Sequence, residues 1–126
     1  MQGTIIEALD IKTLLLTPDK VICTMPVNER TKQPFGYLHG GASLVLAETV
    51  ASIGAWASID QEQEVAMGME INANHLRSAS QGIVTAVGVP LHKGRKSAVW
   101  DIKITDEQDR LICVSRCTVA ISPKRV

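Results

Sequence analysis

The chain predicts an α+β domain, an antiparallel sheet curled around one long buried helix, and three observations carry that expectation. Residues from about Gly41 to Ala57 form an unbroken run of small and apolar side chains, long enough for a helix. Several other stretches alternate apolar and polar with period two, as half-buried strands do. The connections between those stretches are short, which favours antiparallel pairing of neighbours in sequence.

In chain order, residues 12 to 27 read as a hairpin: "KTLLL", a turn at Thr17-Pro18-Asp19-Lys20, then "VICTMPV". "NERTKQPFGYLHGG" is broken by Pro34, Gly36, Gly40 and Gly41 and reads as irregular. The helix that follows is apolar almost all round, which implies burial on most sides. "VAMGMEINANHLR" (65 to 77) alternates, with Met67, Met69 and Ile71 on one face. "GIVTAVGVPLH" (82 to 92) is a strand buried on at least one side. "SAVWDIKIT" (97 to 105) sets Ala98, Trp100, Ile102 and Ile104 opposite Asp101 and Lys103. After a turn at Asp106-Glu107-Gln108-Asp109, "RLICVSRCTVAI" (110 to 121) alternates again. No repeat or linker divides residues 1 to 126, so one domain is expected. An open sheet needs its edge managed, and pairing edge to edge with a second copy does so.

Composition narrows the function. Of 126 residues, 45% are hydrophobic and 21% charged, as in ordinary soluble domains. Thirteen basic and thirteen acidic residues cancel, so no polybasic face is implied and nucleic acid is not expected as the main partner. Cys23, Cys113 and Cys117 are odd in number and lack a C-x-x-C pair, which suggests a reducing, cytoplasmic compartment. "MQGTIIEALDIKTLLL" carries Glu7 and Asp10 and makes a poor signal peptide. Residues 40 to 59 approach the length of a membrane span, but Ala, Gly, Ser and Thr around a central Glu are the wrong composition. The three histidines show no metal-ligand spacing. Neither a G-x-S-x-G elbow nor a phosphate-binding G-x-x-x-x-G-K-[ST] loop is present.

One residue stands out. Glu48 is the only charged side chain between Lys32 and Asp60. An ionised Glu in a dry interior costs several kcal/mol unless paired. Desolvation would lift its pKa toward the range in which a carboxylate serves as base or nucleophile. A Glu that snorkels to solvent, or pairs with an Arg from a strand, is the bland alternative. Ser52, four residues on, shares its helical face and can hold a water or a substrate oxygen. "HGG" at the helix start exposes backbone N–H groups at the positive end of the dipole, where they can stabilise an oxyanion. Gly41 and Glu48 are separated by about 10 Å of helix axis, yet both must come within roughly 3 Å of one carbonyl. Glu48 from one chain and the Gly40 and Gly41 amides from another solve that problem, so a site shared across a two-fold axis is expected.

"RTKQPFGYLHGGASLVLAE", "INANHLRSA" and "PLHKGRKSAVW", in that order, strongly resemble the hotdog-fold acyl-CoA thioesterases. The resemblance spans residues 20 to 121 and is nearest to the PaaI-like branch, which includes 1,4-dihydroxy-2-naphthoyl-CoA hydrolase and the Arthrobacter-type 4-hydroxybenzoyl-CoA thioesterase. It implies that Glu48 attacks the thioester or activates water, and that the Gly40 N–H polarises the carbonyl. It places His39 and Gln33 at the reaction centre and Ser52 where water or the acyl group is held. Gly68, His75, Leu76, Arg77 and Ser78 match positions that contact coenzyme A, as do His92, Lys93, Gly94, Arg95, Lys96 and Ser97. Arg77, Arg95 and Lys96 suit its phosphates. Many relatives carry a helix before the first strand, whereas this chain is expected to begin almost at the strand.

The function this implies is hydrolysis of an acyl-CoA, with an aromatic acyl group favoured, by a homodimer with shared sites that assembles into a homotetramer. Coenzyme A is part of substrate and product, and no separate cofactor or metal is expected. A hotdog-fold dehydratase or hydratase, which needs a His paired with an acid, is one alternative. A CoA-ester binding module without catalysis is the other.

Overall fold

The computed structural model describes residues 2–125. Its elements are α1 (Ile5–Ala8), β1 (Lys12–Leu16), β2 (Val21–Pro26), α2 (Gly40–Ser58), β3 (Glu64–His75), β4 (Ile83–Lys93), β5 (Ser97–Thr105) and β6 (Leu111–Pro123). The six strands form one antiparallel sheet in the order β1-β2-β4-β5-β6-β3. α2 lies against all six, so the sheet wraps the helix in the hotdog arrangement. The core fills the space between them: Leu46, Val50 and Ala51 of α2 meet Val21, Met25, Val84, Trp100, Ile102 and Val119 from the strands.

Period two is strict in β5, where Ala98, Trp100, Ile102 and Ile104 are all buried. Cys113 and Cys117 share the inner face of β6, and Cys23 that of β2. Burial pushes all three thiols up, Cys117 to about 12 with help from the negative charge of Glu48 and Glu70.

The expected grouping of Met67, Met69 and Ile71 is wrong. A bulge between Gly68 and Glu70 inserts one residue into β3 and reverses its phase. Ala66 packs inward before the bulge and Ile71 and Ala73 after it, leaving Met67 and Met69 exposed beside the free edge of the sheet.

Two further expectations change. A one-turn helix does precede the first strand. Thr4 caps it by accepting the Glu7 N–H. Asp10 ends it in the left-handed region (φ 55°), with Ile11 N–H donating to Ile6 C=O at 2.9 Å and Asp10 N–H to Glu7 C=O at 3.0 Å. Nor is α2 buried on most sides. Its composition, expected to be wrong for a membrane span, is apolar enough for one over this length, but here its Ala42, Ser43, Leu46, Ala47, Val50, Ala51, Gly54 and Ala55 flank lies under the sheet. The opposite flank, with Val45, Glu48, Thr49, Ser52 and Ile53, is only half covered and ends in exposed Trp56.

Candidate active site

The start of α2 is built around His39. Its backbone is extended and its ring Nδ1 accepts the Gly41 N–H at 2.7 Å, the task a Ser, Thr, Asp or Asn oxygen usually performs at a helix cap. In the neutral ring this leaves the proton on Nε2, which is free to donate outward. The same bond removes one of the two expected oxyanion donors, because the Gly41 amide is spent on the cap. Ala42 and Ser43 N–H both donate to His39 C=O, at 3.0 and 3.2 Å. Gly40 N–H has no acceptor among the described residues. No acidic side chain occupies the first turn, so the positive end of the helix stays uncompensated there. The two glycines also make room for rings: a Cβ on Gly40 would stand 2.9 Å from His75 Nε2, and one on Gly41 2.9 Å from His39 Nδ1.

Gly40 opens onto a cleft of about 360 Å³ lined by Gln33, Tyr37, Leu38, Ser43, Ile112 and the stretch from His75 to Ala79. Gln33 Oε1 accepts the Phe35 and Tyr37 N–H groups of its own turn. Its amide NH2 is therefore the end left for a ligand. Beside its apolar walls of Leu38, Leu76, Ala79 and Ile112, this donor cleft offers a ligand N–H and O–H groups, an imidazole and the Arg77 guanidinium, and no carboxylate lines it.

Glu48 belongs to a second depression, on the open flank of α2. This groove, of about 330 Å³, is lined by Ile5, Ile6, Val45, Glu48, Thr49, Ser52 and Ile53. Glu48 is half-buried, not sealed in a dry interior, and has no ion pair or hydrogen bond among the described residues. Its carboxylate occupies space that Gly68 leaves vacant, for a Cβ there would collide with Oε2. The protonated Cys117 thiol is close enough to feel its charge. Thr49 donates to Val45 C=O at 2.6 Å, while the Ser52 hydroxyl, one turn from Glu48, has no partner among the described residues.

The remaining expected residues divide. His75, Leu76, Arg77 and Ser78 follow the end of β3 and line the donor cleft. His92 to Ser97 form the tip of the β4–β5 hairpin, whose foot pairs Ser97 with Ala120. Ala120 in turn pairs with Met67, at the other end of β3 from His75. Within one chain these two stretches stand at opposite ends of the sheet. Lys93 is tied to Asp19 at 2.7 Å, whereas Arg77, Arg95 and Lys96 are exposed and without ion pairs among the described residues. No group of His, Cys, Asp and Glu that could hold a metal occurs among the described residues. Sequence reasoning missed Ser43, Tyr37 and the Ile5–Ile6 wall. For Ser43 the signal was its position three residues after Gly40, on the same helical face.

Comparison with known proteins gives a consistent picture. Residues 35–113 match the model of the thioesterase superfamily. The chain is 50% identical over 119 residues to the 1,4-dihydroxy-2-naphthoyl-CoA hydrolase of Listeria monocytogenes, covering 94% of this chain and 96% of that protein. It is 49% identical over 119 residues to the proofreading thioesterase EntH of Cronobacter turicensis, covering 94% and 86%. A solved structure of a mutant thioesterase PA1618 from Pseudomonas aeruginosa superposes with a TM-score of 0.95 at 40% identity, covering 98% of this chain and 88% of that one.

Proposed function

This chain belongs to the thioesterase superfamily and is a thioester hydrolase, and we propose that its substrate is an aromatic acyl-CoA cleaved at a site shared by two protomers. The observation that carries the reading is the separation of two complementary half-sites within one chain. Gly40 and Glu48 are eight residues apart on α2, about 12 Å along the axis. One thioester carbonyl needs a donor on its oxygen and a carboxylate or activated water near its carbon, each at roughly 3 Å.

β3 supplies a way to join them. It is a 12-residue edge strand with one side unpaired in the sheet, the kind of edge that a second copy covers about a two-fold axis. Glu48 lies over Gly68, near the start of β3, and Gly40 against His75, at its end. Antiparallel pairing that sets Gly68 opposite the partner's His75 brings Glu48 toward the partner's Gly40. The same pairing carries the 92–97 hairpin of one chain toward the 75–78 stretch of the other, so that Arg95, Lys96 and the partner's Arg77 can meet the phosphates of one coenzyme A.

In the joined site the thioester oxygen accepts from Gly40 N–H, with the His39 Nε2–H and the Gln33 amide as neighbouring donors. The acyl group lies in the groove walled by Ile5, Ile6, Val45 and Ile53. From Glu48 to Ile53 that groove runs about 7.5 Å along α2, which suits a compact ring better than a long chain. Two routes share the geometry. Glu48 attacks the carbonyl carbon, the C–S bond breaks to release the CoA thiolate, and water then hydrolyses the acyl anhydride. Alternatively, Glu48 takes a proton from the water that attacks. Label found in the Glu48 carboxylate after single turnover in ¹⁸O-water establishes the anhydride, because it enters there only when water attacks the Glu48 carbonyl carbon of that intermediate. Where label goes to the released acid instead, trapping the anhydride with hydroxylamine separates the routes. The dehydratase alternative is disfavoured by the His39 cap, which commits Nδ1 to Gly41.

The test of the function is thiol release from a panel of aromatic and aliphatic CoA esters by the native protein and by Glu48→Gln. Preference for aryl esters, with turnover lost and binding retained in the variant, supports the reading. Full turnover without Glu48 overturns it.

A further inference from the structure

We propose that the Ser43 hydroxyl is a second donor to the thioester oxygen, acting beside the Gly40 N–H, an assignment that rests on the hydrolase reading above. Ser43 is one of three buried polar residues among those described, at 3% exposure. Its hydroxyl nevertheless has no hydrogen-bond partner among the described residues. Buried polar groups are almost always satisfied, so a native exception calls for an external partner. The hydroxyl is not sealed off either, because the only fully enclosed, unsatisfied side-chain atom among the described residues is Trp100 Nε1. Ser43 therefore reaches the cleft it lines with Gly40.

Its neighbours on α2 make the contrast sharp. Serine and threonine inside helices ordinarily donate to the carbonyl four residues back. Thr49 does so to Val45 at 2.6 Å and Ser58 to Gly54 at 3.0 Å. For Ser43 the corresponding acceptor is His39 C=O, which already takes two N–H groups. A carbonyl oxygen has two lone pairs, so that route is filled. Ser43 and Gly40 are three apart and share a helical face, and helical side chains lean toward the N-terminus. The hydroxyl thus leans over the Gly40 amide, where an oxygen held by that amide would meet it. Ser43 keeps its proton throughout. It donates to the carbonyl oxygen and more strongly to the oxyanion that forms there, as charge-assisted bonds do.

Kinetics with benzoyl-CoA provide the first test. Ser43→Ala is expected to lower kcat about 100-fold, the usual cost of losing one oxyanion donor, with little change in KM or in thermal midpoint. Ser43→Cys preserves the volume but offers only a weak donor, and should not restore turnover. Native kcat in Ser43→Ala, or recovery in Ser43→Cys, overturns the assignment. A second readout needs no turnover: the carbonyl stretch of ¹³C-benzoyl-CoA bound to Glu48→Gln. It should lie at lower frequency than in Glu48→Gln/Ser43→Ala, and identical bands overturn the proposal. A native protein that neither turns over nor binds any thioester overturns the hydrolase reading and this one with it. An active enzyme indifferent to Ser43 overturns this one alone.

Discussion

The donor cleft at the start of α2 and the carboxylate groove midway along it differ in almost every respect. The cleft presents the unclaimed Gly40 amide, the Gln33 amide, the Ser43 hydroxyl, His75 and Arg77, and no acid lines it. The groove presents one acid, two hydroxyls and four aliphatic walls, and no base lines it. Each concentrates one sign of charge or partial charge and leaves the other to be supplied. Glu48 has no ion pair among the described residues, while the amide end of the helix stands about 12 Å away along the axis.

The largest effect should come from emptying the groove of its charge. Glu48→Gln keeps the shape of the side chain and is expected to cut kcat by about 10³-fold, with CoA-ester affinity by calorimetry within threefold of native. Moving the carboxylate without removing it comes next. Gly68→Ala places a methyl where Oε2 now lies, and a displacement of about 1 Å should cost about 10²-fold in kcat; native turnover would mean that the Glu48 position is loosely required. At the rim of the cleft the loss should appear in KM. Arg77→Ala is expected to raise KM for a CoA ester about tenfold, leaving kcat and the KM for the matching pantetheine ester unchanged. A rise of equal size for pantetheine would separate Arg77 from the nucleotide phosphates. The smallest effect concerns the groove wall. Ile5 is 55% exposed, so Ile5→Ala should fold normally, and it is expected to shift the ratio of kcat/KM between octanoyl- and benzoyl-CoA roughly tenfold toward the longer chain. An unchanged ratio would show that α1 does not bound the acyl group.

Much of this was legible in the residues, and the exceptions have physical causes. β5 could be read residue by residue because both its faces obey period two, one against the helix and one outward. β3 was not, because its bulge is signalled only by Gly68 inside "AMGME", a single glycine that does not fix where the extra residue falls, and one inserted residue reverses every later side chain. α1 is a single turn, too short for periodicity to register, and is held by a cap and a left-handed Asp10 instead. The open flank of α2 was hidden by its composition: Ala, Gly, Ser and Thr all round give no contrast between a covered and an uncovered side. Glu48 was conspicuous as a lone charge, and the rise of a helix already placed it too far from Gly40. That Gly41 is spent on His39 depends on the backbone angles of the cap, and Ser43 looked like any other small residue until its acceptor proved to be occupied.

The joining of the two half-sites is the claim on which the rest depends, and mixed dimers test it most directly. One variant carries Glu48→Gln; the other carries Gln33→Ala and His39→Ala, with Glu48 intact. Each alone should be nearly inactive. Denatured together and refolded at equal amounts, half the dimers pair unlike chains, and each such dimer holds one undamaged site. Activity should return to about a quarter of native. A mixture no more active than the mean of its parents, or a native protein that hydrolyses at full rate while sedimenting as a monomer, would contradict the shared site.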